Sequence, residues 1–193
     1  HIPHVLTAEE VAFFRQQLWA PDTPWVDGAR SAGGQAVHQK NNRQLAQDSE
    51  LSAQLQGLVK AALHRNALFF SAALPRRIYN PLFNHYSGGA NAYGNHVDSA
   101  VMHSKADNGW VRSDLSCTLF LCEPGDYEGG ELVVVDTYGA HEVKLTRFDN
   151  RIRGFITLQP AVTNVPRVRI EGWSLGWVAA AGAWRWNAQL ELL

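Results

Sequence analysis

The sequence predicts a mainly β protein with helices at its N-terminal end, a barrel or sandwich of short strands with the helices packed outside it. Three observations lead there. Two helical patterns open the chain, several short apolar or alternating runs broken by Gly, Pro, Asn and Asp follow, and one glycine-rich stretch carries a histidine and an aspartate two residues apart.

Composition sets the outer bounds. With 193 residues and 46% apolar side chains the chain can bury one core and has no need of a second. We therefore expect a single domain over 1–193, with 1–66 as a helical support region and 67–193 as the β core. Formal net charge is −1 and the 17 Lys and Arg are scattered singly, so nothing resembles the basic stripe that a phosphate backbone requires. Nucleic acid is excluded as a partner on that ground. No apolar run approaches the roughly twenty residues of a membrane span, and the start lacks the basic, apolar and small-residue order of a signal peptide. A cytoplasmic protein without membrane attachment is the expectation. Cys117 and Cys122 lie five apart in a strand-like run, where an odd offset sends side chains to opposite faces, so no disulfide is expected between them.

Taking the elements in order, VLTAEEVAFFRQQLW carries Thr7 with Glu10 three residues on, a capping box, and Leu6 and Val11 stand where a hydrophobic staple would sit. This predicts a helix from about 7 to 19. A second is predicted at about 49 to 65, where Leu51, Leu55, Leu58, Ala62 and Leu63 recur at helical spacing. From residue 67 the pattern becomes that of antiparallel strands. In SDLSCTLFL, Leu115, Cys117, Leu119 and Leu121 share one face, and Ser116, Thr118 and Phe120 share the other. The run EPGDYEGGELVVVDTYGAHEVKL reads as a glycine-rich turn, a strand, a turn at Thr137 to Gly139 and another strand. FITLQPAV and RVRIEGWSLGWV read as two more.

The stretch PLFNHYSGGANAYGNHVDSA carries the chemistry. In an extended chain residues i and i+2 point the same way, so His96 and Asp98 can grip one ion from a single strand. One imidazole nitrogen and one carboxylate oxygen suit Fe(II), Mn or Zn and leave open positions for other ligands. With eight histidines, a His-x-Asp arises by chance in roughly a third of such chains, so the spacing alone also admits a loop histidine beside a capping aspartate. Gly88, Gly89 and Gly94 relax the backbone beside the pair, as close approach at a site requires, and favour the metal reading.

RIYNPLFNHYSGGANAYGNHVDSA, SDLSCTLFL and DYEGGELVVVDTYGAHEVKL, together with WVDGARSAGGQAVHQKNN, which holds Lys40, Asn41 and Asn42, and NALFFSAALPRRI, resemble the PKHD-type hydroxylases, bacterial relatives of the prolyl and lysyl hydroxylases. The resemblance runs over residues 1 to 145. It implies a double-stranded β-helix, a jelly-roll or cupin-type barrel, over 67–193, and an oxidoreductase, a dioxygenase that splits O2 at Fe(II), decarboxylates 2-oxoglutarate to succinate and CO2, and hydroxylates a small-molecule or peptide substrate, with ascorbate as a further cofactor. His96 and Asp98 would be two of three iron ligands, and 2-oxoglutarate would chelate the metal through its keto-acid end. Tyr86 and Thr118 would lie near that cosubstrate. Dimers are common among such proteins, so a homodimer belongs to the expectation.

The family pattern also asks for a third ligand, a histidine some sixty residues after the His-x-Asp, and an arginine about ten residues further on that clamps the far carboxylate of 2-oxoglutarate. By the resemblance Arg167 takes the arginine position and Thr157 falls at the histidine. No histidine follows His141, which the resemblance places in a hairpin. Residues 146–193 do not resemble the family's ending and hold four of the seven tryptophans. Three accounts stay open: a diverged tail that has lost a ligand, a misread sequence, or a site completed by water or another side chain. A non-catalytic barrel that binds a ligand or partner protein is accordingly the second functional expectation.

Overall fold

The computed structural model describes residues 2–31, 37–38, 40–87, 101–104 and 108–122 in full, and 132–136, 139–143, 156–160 and 185–192 as backbone strands. The first element is α1, Ala8–Leu18. Its capping box forms as predicted: the Thr7 hydroxyl accepts from Glu10 N at 3.2 Å and Glu10 Oε2 accepts from Thr7 N at 2.8 Å. Leu6 and Val11 are both buried in the core, as a staple requires.

The chain then makes a short strand β1, Trp25–Asp27, a 3-10 turn Gly28–Ser31, and β2, Arg43–Leu45. These strands stand inside the stretch predicted as helical support, so helix and strand interleave ahead of residue 66. Their three-residue length is too short for periodicity to reveal. Helix α2, Glu50–Arg65, is capped by Ser49, whose hydroxyl accepts from Ser52 N. Leu55, Val59, Ala62 and Leu63 form its buried stripe, whereas Leu58, expected on that stripe, is 39% exposed. Helix α3, Ala67–Ala73, replaces the strand predicted from residue 67. The Asn66 side chain accepts from Phe69 N at 2.8 Å and starts it, while Pro75, just past Leu74 in the left-handed conformation (φ 43°), prevents its continuation.

The remaining strands are β3 (Leu82–Tyr86), β4 (Val101–Ser104), β5 (Gly109–Arg112), β6 (Leu115–Phe120), β7 (Leu132–Asp136), β8 (Gly139–Val143), β9 (Ile156–Pro160) and β10 (Arg185–Leu192). Six form one antiparallel sheet in the order β1-β2-β3-β10-β6-β9; β4 pairs with β5 and β7 with β8. Thus the hairpin read from ELVVVDTYGAHEV forms, and FITLQPAV holds β9. RVRIEGWSLGWV lies outside the described residues, and β10 was not predicted. No helix of the described residues is long and apolar enough to cross a membrane.

One face of the six-stranded sheet carries Leu45, Phe83, Cys117 and Leu119 into a core with Phe14 and Leu18 of α1, Leu55 and Val59 of α2, and Phe69 of α3. Phe14 stacks on Phe83 with centroids 6.1 Å apart. Each such side chain contributes about 1.5–3 kcal/mol when fully buried. Cys117 and Cys122 are both buried and are not joined in a disulfide, in line with the odd-offset expectation.

Candidate functional site

The opposite face of the same sheet is polar and still buried. The pleat alternates Phe83 and His85 with Leu82, Asn84 and Tyr86 on β3, and Cys117 and Leu119 with Ser116, Thr118 and Phe120 on β6. The ladders carry these rows across β10: Tyr86 pairs with Arg185, Asn84 with Asn187 and Asn187 with Phe120, Leu82 with Gln189 and Gln189 with Thr118. Tyr86 and Thr118, both predicted as cosubstrate neighbours, therefore share one sheet face, two strands apart. Tyr86 is 3% exposed and Thr118 8%. With Ser116, Asn84 and Gln44, also buried, they make a surface rich in hydroxyls and carboxamides. Such a donor set suits a small polar acid better than a hydrocarbon.

Three of those amides are tied together. Asn84 Oδ1 accepts from Asn42 Nδ2 at 3.1 Å and from Gln44 Nε2 at 2.9 Å, all three side chains being buried. Asn42 in turn takes the Gly28 N–H on its backbone carbonyl at 2.9 Å. Asn42 Oδ1 has no hydrogen-bond partner among the described residues and lies against Gly28, where a methyl group would stand 1.8 Å from it. Gly28 is thus dictated by close approach. Sequence reasoning did not single out Asn84 or Gln44. The signal was present in LFNHY, whose alternation sets Leu82, Asn84 and Tyr86 on one face.

On the apolar side, His85 is 5% exposed; burial first, and the Arg43 guanidinium second, push its pKa down to about 4, so it is neutral near pH 7. Its ring lies 5.5 Å from that of Trp25.

The other predicted residues fall as follows. His96, Asp98 and the glycines beside them, Gly88, Gly89 and Gly94, lie outside the described residues, as does Arg167. Among the described residues no three His, Cys, Asp or Glu side chains come together. His141 stands in β8 opposite Val134 in the β7–β8 hairpin, the setting expected for it. Thr157 stands in β9 as the direct register partner of Thr118. The position at which a distal histidine was expected is thereby joined to the Tyr86–Thr118 side of the sheet.

No family model matches the chain. Among curated proteins it is 52% identical over 149 residues to a PKHD-type hydroxylase of Variovorax paradoxus (strain S110), covering 77% of this chain and 64% of that protein. A PKHD-type hydroxylase YbiX of Escherichia coli (strain 55989 / EAEC) is 52% identical over 149 residues with the same coverage. One from Klebsiella pneumoniae (strain 342) is 50% identical over 161 residues, 83% of this chain and 67% of that protein. The chain spans 64% of the length of the first two of these relatives, less than two thirds. Among solved structures it is similar to a Pseudomonas putida prolyl-4-hydroxylase, with a TM-score of 0.57 at 16% identity over 98% of this chain and 89% of that one. It is also similar to a Trichoplax adhaerens prolyl hydroxylase in complex with a hypoxia inducible factor oxygen degradation domain peptide fragment, with a TM-score of 0.59 at 14% identity over 100% of this chain and 81% of that one. These likenesses identify the antiparallel fold.

Proposed function

Because the chain belongs to the PKHD-type hydroxylase family, we propose that it is an Fe(II)- and 2-oxoglutarate-dependent hydroxylase whose metal is held by His96 and Asp98. The observation that carries the reading is the His96-Val97-Asp98 spacing, ten residues beyond a strand whose last residue, Tyr86, belongs to a buried polar sheet face. Imidazole and carboxylate from one extended segment bind Fe(II) and leave coordination sites for the cosubstrate. When bound, iron and 2-oxoglutarate supply the oxidising chemistry, with succinate and CO2 released and one oxygen atom entering the substrate.

The protein's own residues bind and orient. The Tyr86 and Thr118 hydroxyls donate hydrogen bonds to the cosubstrate, and Arg167 supplies the cation for its far carboxylate, since a guanidinium grips a carboxylate in two parallel bonds. The closed jelly-roll barrel belongs to this proposal, with the polar face of the six-stranded sheet turned to its interior. The substrate is a small molecule or a peptide, a class supported by the peptide fragment bound to the Trichoplax relative by fold. Ascorbate as an accessory reductant, a cytoplasmic location and a homodimer complete the reading.

One observation favours a second reading. No histidine follows His141, and Thr157 is a weak neutral ligand where the family pattern asks for imidazole. Loss of a ligand weakens metal binding at least as much as the ten- to hundredfold typical of outer-shell defects. On this reading the chain is a non-catalytic barrel that binds a ligand or partner protein.

Anaerobic Fe(II) titration with 2-oxoglutarate separates the two. The hydroxylase reading expects the weak visible charge-transfer band of the chelate in the wild type and its loss in His96→Ala. A folded wild type that shows no band and retains no iron would leave the binding module.

A further inference from the structure

We propose that the open cavity at the β1–β2 edge of the main sheet binds a free α-amino acid, held as its zwitterion between Arg43 and Asp27. The cavity measures about 470 Å³ and is lined by Trp25, Val26, Asp27, Asn41, Asn42 and Arg43. That volume lies within the range of small-ligand sites. Neither Tyr86 nor Thr118 is among these lining residues, and the proposal is independent of the oxygenase reading.

The charges make the case. Asp27 and Arg43 are direct register partners across β1 and β2, so the pleat sets both on one sheet face with Cα atoms roughly 4.5–5.5 Å apart. Trp25, two residues before Asp27, shares that face. Neither charge enters an ion pair among the described residues. Asp27 Oδ1 accepts from Ala29 N at 2.9 Å, which uses one carboxylate oxygen in the turn and leaves the other for a ligand. A carboxylate and a guanidinium at one step of a strand pair match an ammonium and a carboxylate carried by a single carbon.

The walls are held in advance. Asn42 is buried, 6% exposed, its side chain bound to Asn84 and its carbonyl to Gly28 N. The Trp25 ring is braced by His85 at 5.5 Å and offers an apolar wall for a side chain. A wall fixed before binding loses little freedom on binding. β1 is the outermost strand of its sheet, so the cavity is reached from the sheet edge.

Isothermal titration calorimetry on the full chain tests this with L-leucine, L-proline and L-phenylalanine, each beside its N-acetyl and its carboxamide form. Saturable binding of at least one free amino acid is expected, weakened about tenfold or more by either cap, as loss of a charge-assisted hydrogen bond requires. Arg43→Gln and Asp27→Asn are each expected to weaken it similarly; the asparagine keeps a carbonyl for Ala29 N, and melting curves verify that both variants fold. His96→Ala is expected to bind as the wild type does. The proposal is overturned if no free amino acid binds, if capped forms bind equally well, if both variants bind like the wild type, or if His96→Ala abolishes binding.

Discussion

Thr118 of β6 and Thr157 of β9 stand directly opposite each other in the antiparallel ladder. The first is a buried residue of the polar sheet face, and the second is the residue that the proposed function sets where the family pattern asks for an iron-binding histidine. Register partners share a sheet face, so a side chain placed at 157 belongs to the same row as Thr118.

Thr157→His should therefore restore an imidazole to the proposed iron site. Tighter Fe(II) binding by about tenfold or more is expected from anaerobic titration, since even outer-shell changes at metal sites have effects of that size. An unchanged affinity in the folded variant would remove position 157 from the metal site.

Asn84→Ala would leave the Asn42 and Gln44 amides without their shared acceptor inside the protein. Each orphaned buried donor costs about 1–3 kcal/mol, so a loss of about 2–6 kcal/mol is expected in urea denaturation. Gly28→Ala should destabilise by about 1–3 kcal/mol as an overpacked site, because the new methyl meets Asn42 Oδ1 at 1.8 Å and Asn42 is held by Asn84. Wild-type midpoints for both variants would contradict the amide cluster.

His85 gives stability a dependence on pH. Its folded pKa, about 4, lies below the ordinary value of 6.5, so between those values the unfolded chain binds the proton and the folded one does not. Its contribution is complete above pH 6.5 and is lost as pH falls toward 4. Denaturant midpoints measured from pH 7 to pH 4 should fall in the wild type, and His85→Phe should flatten that slope.

Glu10 works in the opposite range. The Arg65 side chain, followed by the Thr7 backbone hydrogen bond, outweighs the effect of burial and holds its carboxyl below the usual range. The stabilisation is present above the unfolded value of about 4.5 and disappears as pH falls through the lowered folded value. Arg65 Nη1 donates to Glu10 Oε1 at 2.7 Å and so joins the start of α1 to the end of α2. Because the pair is partly exposed, Glu10→Gln should cost only about 1 kcal/mol near neutral pH. A double-mutant cycle with Arg65→Met measures how much of that belongs to the pair.

Local chemistry made much of this protein legible in its sequence. Thr7 and Glu10 announced α1, the helical recurrence of Leu55, Ala62 and Leu63 announced α2, and the alternation in SDLSCTLFL foretold a two-faced strand, because caps, turns and pleats involve residues close along the chain. The His96–Asp98 spacing suggested a metal pair by the same short-range logic, and both residues lie outside the described ones. Tertiary structure decided what neighbours along the chain do not determine. Trp25–Asp27 and Arg43–Leu45 are too short to show a period, and become strands because each finds a partner distant along the chain. Asn66 caps a helix where an apolar run suggested a strand. β10 lies between β3 and β6, more than sixty residues from either, and so brings Tyr86 and Thr118 onto one face. The Asn84 cluster and the Asp27–Arg43 pair likewise depend on register, and register is set by which strands meet and which faces the core buries.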